Sequence, residues 1–230
     1  MLGTIVNAAA IIAGTILGNF LKGGFPENVK STIMQGLSIT VMLIGLSMAL
    51  KSRNILVVTL SIVIGAILGE VLQIENRLNR FGQSLEKRFG DGDGDFTRAF
   101  VSASLIYCVG AMAIMGSIES GLTGNHTTLF IKSILDGVSA VVFSSSMGIG
   151  VAFSALPVFL YQGGITLAAA YVKAFLTDAI IKEMTATGGL LIFAIGINML
   201  GIDVNIKVGN LLPAIFVAIF LTMAFSHLPV

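Results

Sequence analysis

The sequence contains no tryptophan, a single cysteine (Cys108) and few charged residues. A lone thiol cannot form an intrachain disulfide, which excludes a disulfide framework and a metal site built from cysteines. Only 11% of the residues are charged, against about 25% in soluble domains, so an ordinary water-soluble globule is excluded. The net charge of +1 argues against nucleic acid as a partner, because phosphate binding needs a clustered basic surface. An integral membrane protein remains.

Runs without Asp, Glu, Lys or Arg have the length of a bilayer crossing, for which a helix needs about 20 apolar residues. A longer charge-free window, 137–172, is divided by Pro157 and by the pair Gly163-Gly164. We therefore expect an all-α polytopic transmembrane protein with about nine helices, or alternatively eight. The fifth and sixth are short and rich in serine and glycine, and form either two spans or a broken, re-entrant pair. The expected helices are 2–21, 33–51, 54–73, 99–118, 128–146, 147–162, 164–181, 184–202 and 209–228.

The distribution of lysine and arginine predicts the orientation in a bacterial inner membrane. The segment after the third helix, residues 75–98, carries five Lys or Arg residues, whereas the loop after the second helix has only Lys51 and Arg53. Because positive charge is retained in the cytoplasm, residues 75–98 should face inward and the N-terminus outward. Nine helices would then leave the C-terminus inside. The first helix lacks a cationic start and a clear cleavage context, so we expect it to stay in the mature protein.

Short internal matches indicate a repeat. GTIVNAAA at 3–10 resembles GGITLAAA at 163–170, and IMQGLS at 33–38 resembles ILDGVS at 134–139. A repeat with an odd number of helices inverts its orientation at each copy, an arrangement found in many secondary transporters. The predicted units are a first three-helix unit at 1–74, a cytoplasmic connector at 75–98, a second three-helix unit at 99–162 and a third at 163–230.

Two pairs of glycines have the small-xxx-small spacing that lets helix backbones approach closely: Gly14 with Gly18, and Gly65 with Gly69. We interpret all four as helix-packing positions. The packing partner is either another helix of the same protomer or a second protomer, so a homo-oligomer stays open.

The connector begins with an amphipathic cationic helix, residues 74–90. It is suited to lie on an anionic inner leaflet or to dock on the transmembrane bundle; the alternative is a solvated connector. Asp91, Asp93 and Asp95 follow, but Phe96 stands where an EF-hand requires glycine. We interpret this segment as a flexible acidic turn and not as a calcium site.

Polar residues within the predicted spans are the functional candidates, because ionisable groups are costly at membrane depth. Asp136 follows Lys132 by one helical turn and precedes a serine-rich, glycine-rich stretch whose oxygens could bind a cation or polar solute. Alternatively, Asp136 is an interfacial cap or a structural partner of Lys132. Asn7 and Asn198 either form interhelical hydrogen bonds or contact the substrate. Tyr161 and Gln162 form either a gate or a tight turn. The candidate substrate-pathway residues are Asn7, Asp136, Ser139, Ser144, Ser145, Ser146, Tyr161, Gln162 and Asn198.

Signatures of catalysis are not found in the sequence. It contains no H-E-x-x-H motif, no G-x-S-x-G elbow and no P-loop. We therefore expect a protein that is not an enzyme and has no cofactor, no metal and no catalytic residue.

Four stretches, GTIVNAAAIIAGTILGNFL, CVGAMAIMGSIESGLTGN, KSILDGVSAVV and ALPVFLYQGGITLAA, resemble the YqgA/YdfK-like bacterial membrane proteins. The resemblance covers nearly the full length and implies a polytopic inner-membrane protein, in a family of unknown function often labelled as transporters. The first hypothesis is a secondary transporter or channel-like protein for a small ion or polar metabolite, embedded in the lipid bilayer. The alternative is a non-transporting membrane scaffold, assembly partner or sensor that uses residues 74–98.

Overall fold

The computed structural model describes residues 1–22, 27–89, 96–200, 202, 204 and 206–225, and these contain helices and no strand. The acidic turn at Asp91–Asp95 lies outside the described residues, as does the predicted end of the last helix beyond residue 225. The helices are α1 (Leu2–Lys22), α2 (Glu27–Ala49), α3 (Ile55–Leu72), α4 (Ile74–Phe89), α5 (Phe96–Cys108), α6 (Ala111–Thr123), α7 (Thr127–Met147), α8 (Gly150–Phe153), α9 (Ala155–Leu167), α10 (Ala169–Phe175), α11 (Asp178–Met199), α12 (Val208–Leu211) and α13 (Pro213–Phe225).

Seven segments within the described residues are long and apolar enough to cross a membrane, and α5 with α6 forms an eighth if this bent pair is one span. The polytopic all-α architecture predicted from the sequence is confirmed. The seven segments are Leu2–Leu21, Ser31–Ala49, Ile55–Leu72, Thr127–Met147, Gly150–Leu167, Asp178–Met199 and Val208–Phe225.

The helix breaks differ in position from the expected ones. The predicted fifth helix is an unbroken helix of 21 residues, α7, and the bent span is the predicted fourth, where α5 and α6 meet at 59°. The N-cap of α6 is Gly110 with φ 151° and ψ 151°, a backbone region that glycine alone adopts readily. Glycine therefore permits the break within this span.

The predicted seventh span, 164–181, does not form. Gly163 and Gly164 lie inside α9 instead of ending it, and the short helix α10 leads to α11. Pro157 is the third residue of α9, where its missing N–H breaks no intrahelical hydrogen bond. Gly163 faces the start of α1, since a Cβ there would make ordinary contacts with Met1 Cε at 3.4 Å and Thr4 Cγ2 at 3.9 Å, so this glycine does not form a turn.

Helices α1 and α7 run parallel. An added Cβ on Gly3 would meet the Leu129 side chain, and one on Gly18 would meet the backbone carbonyl of Val141. Contacts therefore advance in the same direction along both helices. Both belong to the first of the two compact units, residues 1–33 and 79–174.

Helices α3 and α13 run antiparallel. A Cβ on Gly65 would meet the Ala214 backbone, whereas a Cβ on Gly69, one turn later in α3, would meet the earlier residue Asn210. Both helices belong to the second compact unit, residues 34–78 and 175–230.

Helices α2 and α11 also run antiparallel within the second unit. A Cβ on Gly189 would lie 2.6 Å from the Ala49 backbone N, and one on Gly196 would lie 2.9 Å from the Ser38 carbonyl oxygen. Later residues of α11 thus meet earlier residues of α2.

These three directions agree with eight crossings and not with nine. With α5 and α6 as one crossing, α1 and α7 are the first and fifth spans and must be parallel. The same count makes α2 and α11 the second and seventh spans and α3 and α13 the third and eighth, so both pairs must be antiparallel. A re-entrant α5–α6 pair would reverse the direction of α7 relative to α1. Of the two predicted helix counts, the described residues therefore support eight.

The two compact units divide the chain differently from the predicted blocks. Each unit combines one segment from the first 78 residues with one later segment, and the predicted boundary between 162 and 163 falls inside α9. The block 163–230 contains two segments that qualify as complete spans, α11 and α12–α13. The three-helix repeat stays a prediction.

The helix ends follow local chemistry. Asn54 caps α3 by accepting a hydrogen bond from Leu56 N at 3.1 Å, and Thr177 caps α11 by accepting one from Ile180 N at 3.4 Å, which satisfies amide groups without intrahelical partners. Pro213 is the first residue of α13, where its fixed φ favours helix entry.

Helix α4 matches the predicted amphipathic helix of the connector. Its Phe81 ring lies 5.9 Å from the Phe100 ring in α5, and Thr97 Oγ1 donates to Glu86 Oε2 at 2.9 Å. The apolar face thus docks on the bundle, while Arg77 remains exposed.

Candidate functional site

A polar face of α7 forms the base of the candidate site. Lys132, Asp136 and Ser139 are spaced by four and three residues, so their side chains share one face of the helix. Asp136 is the tenth of the 21 residues in α7, which places it near mid-membrane if the helix crosses as a span. The Lys132 and Asp136 residues are 7% and 6% exposed. Their chemistry is therefore shielded from bulk solvent.

Lys132 and Asp136 form an ion pair between Lys132 Nζ and Asp136 Oδ2. Two isolated charges would be very costly in an apolar interior, and the pair offsets that cost only when further hydrogen bonds support it. The pair alone is formally neutral, so neither residue imposes a net charge on the site. The predicted contact between Lys132 and Asp136 is therefore present.

Asn7 and Gln162 complete the support of the carboxylate. Asn7 Nδ2 donates to Asp136 Oδ2 at 3.0 Å and to Gln162 Oε1 at 3.3 Å. Both amide side chains are fully buried. Three sequence-predicted candidates, from α1, α7 and α9, therefore meet at one point.

Tyr107 brings the bent span to the same point. Ser139 Oγ donates to Asp136 O at 3.0 Å and lies 3.4 Å from Tyr107 OH. Lys132 Nζ lies 5.9 Å from the centre of the Tyr107 ring, within cation–π range. Tyr107 is the penultimate residue of α5, so the break before α6 adjoins the ion pair. We call Asn7, Tyr107, Lys132, Asp136, Ser139 and Gln162 the Asp136 cluster.

Polar atoms of the cluster remain without partners. Asn7 Oδ1 and Gln162 Nε2 are buried and have no hydrogen-bond partner among the described residues. The first is an acceptor and the second a donor. An unsatisfied buried polar group costs about 1–3 kcal/mol, so the cluster is equipped to bind a further polar species.

The serine triplet does not join the cluster. Ser144 Oγ donates to Thr15 O at 3.0 Å and lies at the crossing of α1 and α7 beside Gly18. Ser145 Oγ donates to Val142 O at 2.8 Å. Ser146 Oγ is buried without a partner within the described part of the chain. Ser144 and Ser145 therefore satisfy backbone carbonyls, which is how a hydroxyl is accommodated in an apolar helix.

Asn198 lies in the second compact unit, whereas the Asp136 cluster lies in the first. Its Nδ2 donates to Ile206 O at 2.8 Å and its Oδ1 accepts from Ile206 N at 2.9 Å. These bonds tie the end of α11 to the segment before α12. Tyr161, also predicted, is half-buried in α9 beside Gln162, within a helix and not in the tight turn that was one of its predicted settings.

The predicted packing glycines lie at helix crossings. A Cβ on Gly14 or Gly18 would meet the backbone of α7, and one on Gly65 or Gly69 would meet the backbone of α13 or α12. Beside the first crossing, a groove of about 480 Å³ runs along the outer side of α1 and α7. Ser133 is the one hydroxyl in its lining, which is otherwise apolar and excludes Asp136, so this groove is not a polar passage.

Glu183 was missed by the sequence analysis because it stands at the edge of a charge-free run. It is 3% exposed and accepts from Ser52 Oγ at 2.6 Å and from Arg53 N at 2.8 Å. Glu183 thus holds the turn between α2 and α3. Tyr107 was also missed; its hydroxyl within an apolar span just before Gly110 was the available signal.

Comparisons with known proteins agree with this architecture. The family model described as "Protein of unknown function (DUF554)" matches residues 2–223. The chain belongs to the DUF554 family. Within this family, the chain is 32% identical to "Uncharacterized membrane protein YdfK" of Bacillus subtilis (strain 168), covering 98% of this chain and 99% of that protein. It is 28% identical to "Uncharacterized protein YqgA" of Escherichia coli (strain K12), covering 98% of each. No solved structure matches the chain.

Proposed function

We propose that this DUF554 protein is a secondary transporter or channel-like protein that carries a small ion or polar solute across the bacterial inner membrane. The observation that carries the proposal is the buried Lys132–Asp136 pair, joined by Asn7 and Gln162, which retain unpartnered polar atoms. The cluster supplies both charge signs and neutral amides at one point. A small charged or polar species can exchange for these internal partners.

The energetics favour a functional role for the pair. Replacing a buried ion pair by well-packed neutral groups is often neutral or stabilising by about 1–4 kcal/mol. A chain with only 11% charged residues could therefore fill this position with apolar side chains at no loss of stability. Ionisable residues that persist within membrane spans commonly mark ion or substrate pathways.

The bent span beside the cluster supports the same proposal. Discontinuous helices at the midplane are a common way for transporters to bring free backbone groups to a binding site. Here the break at Gly110 follows Tyr107 by three residues, and Tyr107 contacts Ser139 and Lys132. A predicted inverted repeat would add a means of alternating access, with the N-terminus outside and residues 75–98 in the cytoplasm.

The test is flux in liposomes reconstituted with the purified protein, using radioactive sodium, radioactive rubidium and a trapped pH indicator as probes. The informative variant is the neutral double substitution Lys132→Gln with Asp136→Asn, because it leaves no unpaired buried charge and keeps an acceptor for Asn7 at position 136. We expect a probe to cross faster with wild-type protein than in empty liposomes. We expect the double variant to lower that rate to background.

The matched control is Glu70→Gln with Lys207→Gln. It also removes one ion pair, of 3.1 Å, but its side chains are 60% and 61% exposed in the second unit. This control should retain wild-type flux. Equal flux with the Lys132–Asp136 double variant and wild type would contradict the proposal, as would wild-type rates no higher than empty liposomes for all three probes.

The second candidate function is a membrane scaffold or assembly partner that uses α4. The observation in its favour is that α4 docks through Phe81 and keeps Arg77, Arg80 and Lys87 exposed. Such a face suits an anionic leaflet or an acidic partner. If this function holds, reversing these three charges to glutamate should abolish recovery of a partner from membranes, and the wild-type protein should show no flux above that of empty liposomes.

A further inference from the structure

Two threonines extend the unpartnered polar atoms of the cluster along the contact between α1 and α9. Thr4 Oγ1 and Thr166 Oγ1 are buried without hydrogen-bond partners among the described residues, as are Asn7 Oδ1 and Gln162 Nε2. Thr166 is 6% exposed and the other three residues are 0% exposed. Buried polar groups are almost always satisfied by protein or by ordered water. These four polar atoms therefore need hydrogen-bond partners that the neighbouring described side chains do not supply.

The two hydroxyls differ from the threonines that bond within their own helix, whereas Thr185 and Thr187 of α11 are also unpartnered among the described residues. Thr15, Thr59 and Thr222 each donate to the carbonyl oxygen four residues earlier, at 2.6–2.8 Å, the usual arrangement in an apolar helix. Thr4 stands too near the start of α1 to have such an acceptor, and Thr166 does not bond to one. Their hydroxyls remain available to a small polar molecule.

The packing of α1 against α9 sets the order of these groups. Asn7 contacts Gln162 at 3.3 Å, and a Cβ on Gly163 would lie 3.9 Å from Thr4 Cγ2 and 3.4 Å from Met1 Cε. Moving toward the start of α1 thus means moving toward the end of α9. From Asp136, the row of polar groups runs along α1 from Asn7 to Thr4 and along α9 from Gln162 to Thr166, whose backbone carbonyl lies beside Gly121 of α6.

On the other side of Asp136, the same helix α1 is closed. Ser144 Oγ donates to Thr15 O and Thr15 Oγ1 donates to Ile11 O, so these hydroxyls are satisfied. Added Cβ atoms on Gly14 and Gly18 would clash with the backbone of α7, which leaves no space for water at this crossing. The unpartnered groups of α1 therefore lie on one side of the ion pair.

We infer that a file of water runs between α1 and α9, from the membrane face at which α1 begins to Asp136, and is closed toward the opposite face at the α1–α7 crossing. Hydroxyl and amide groups spaced by about one helical turn offer each water the two to four polar partners it needs. The file gives a proton or small cation one-sided access to the carboxylate. This inference rests on the proposed function for the role of Asp136, but the water file is measurable without transport.

The test uses single cysteines in a Cys108→Ala background, which is free of other thiols because Cys108 is the one cysteine of the chain. Thr4→Cys and Thr166→Cys are treated with a membrane-impermeant methanethiosulfonate from each side of the membrane. The thiolate, which forms in water and not in lipid, attacks the reagent's sulfur to form a mixed disulfide and release methanesulfinate. We expect both cysteines to react from the face where α1 begins and to resist the reagent from the other face.

Two matched control cysteines report the reaction rate at a lipid-facing position and at a dry position inside the protein. Ile5→Cys lies next to Thr4 on the exposed, apolar side of α1, where Ile5 is 50% exposed. Ala140→Cys lies on the closed side, where Ala140 is fully buried. The path cysteines should react at least about tenfold faster than either control. Gly163→Cys serves as a third path position, because its Cβ would make only ordinary contacts.

Path cysteines that react no faster than the controls would overturn the inference, and so would equal reaction from both faces. These outcomes are separate from the flux test. Labelling of the path with unchanged flux in the Lys132–Asp136 double variant would keep the water file and contradict the proposed transport. Loss of flux in the double variant without labelling of the path cysteines would support the proposed transport and contradict the water file.

Discussion

At the scale of single residues, Asp136 is held by direct contacts from two helices and by indirect support from a third. Its Oδ2 accepts from Lys132 on its own helix and from Asn7 on α1, and Asn7 is in turn fixed by Gln162 on α9. Each contact depends on the others, because removing one partner leaves a buried polar or charged group without a hydrogen-bond partner in an apolar environment. The stability of the pair and its purpose therefore need separate measurements.

Asp136→Asn alone should destabilise the protein more than the neutral double variant. The single change leaves the Lys132 ammonium buried without a counter-charge, at a cost of about 3–5 kcal/mol, which lowers the melting temperature by roughly 10 °C. Adding Lys132→Gln removes that charge and should restore most of the loss. The measurement is thermal unfolding in detergent, followed by a dye that reacts with Cys108 as the fold opens, since the chain has no tryptophan.

Glu70→Gln provides the control for the loss of one carboxylate. Glu70 pairs with Lys207 through an exposed contact of 3.1 Å, and exposed pairs contribute about 0–1 kcal/mol. The melting temperature of the Glu70→Gln variant should stay close to that of wild type. A double variant at the Asp136 cluster that melts as low as Asp136→Asn would show that the pair is required for folding.

The sequence predicted four members of the cluster, whereas other candidates lie outside it. Asp136, Asn7, Ser139 and Gln162 were found because a polar side chain in an apolar run is conspicuous whatever the fold. Ser144 and Asn198 have the same appearance in the sequence, yet one bonds to Thr15 O and the other to the backbone of Ile206. Helical spacing predicts which residues share a face, but not which helix lies opposite.

At the scale of elements, close helix crossings depend on glycine where backbones meet. We expect Gly14→Ala to lower the free energy of unfolding by about 1–3 kcal/mol, because its Cβ would clash with the Gly137 carbonyl. Gly36→Ala is the matched control, since a Cβ on Gly36 meets nothing within 4 Å. It should be neutral or stabilising by up to about 1 kcal/mol. Thermal unfolding of both variants measures the difference. Equal losses of stability in Gly14→Ala and Gly36→Ala would contradict the close crossing of α1 and α7.

The break between α5 and α6 gives another element-scale prediction. Gly110→Ala should destabilise the protein by about 1–3 kcal/mol, because φ 151° with ψ 151° strains any residue that has a Cβ. Gly164→Ala, on the open side of α9 with nothing within 4 Å, should have little effect. The same unfolding assay compares them, and a harmless Gly110→Ala would argue against the bent span.

Helix content was predictable from hydropathy, whereas the positions of the breaks were not. Pro157 and Gly163 were taken to end helices because both residues disfavour helical backbone. Pro157 instead lies in the first turn of α9, and Gly163 lies within the same helix. In the sequence, the glycine at the observed break, Gly110, looks the same as a packing glycine. Only its backbone dihedral angles distinguish the two.

At the scale of the whole molecule, eight crossings put both ends of the chain on the same face of the membrane. Combined with the cytoplasmic placement proposed for residues 75–98, this places the C-terminus outside, in contrast to the inside position expected from nine helices. A C-terminal alkaline phosphatase fusion should be active and a C-terminal green fluorescent protein fusion should be dark. The opposite pair of signals would contradict the eight-span count or the proposed orientation.

We propose that the Lys132–Asp136 pair is kept for transport and not for folding. The most direct measurement is the cation flux of the neutral double variant, in liposomes whose protein has first been shown to melt at the wild-type temperature. We expect this variant to show flux at the level of empty liposomes, while Glu70→Gln with Lys207→Gln carries the wild-type flux. Wild-type flux through the folded double variant would contradict it.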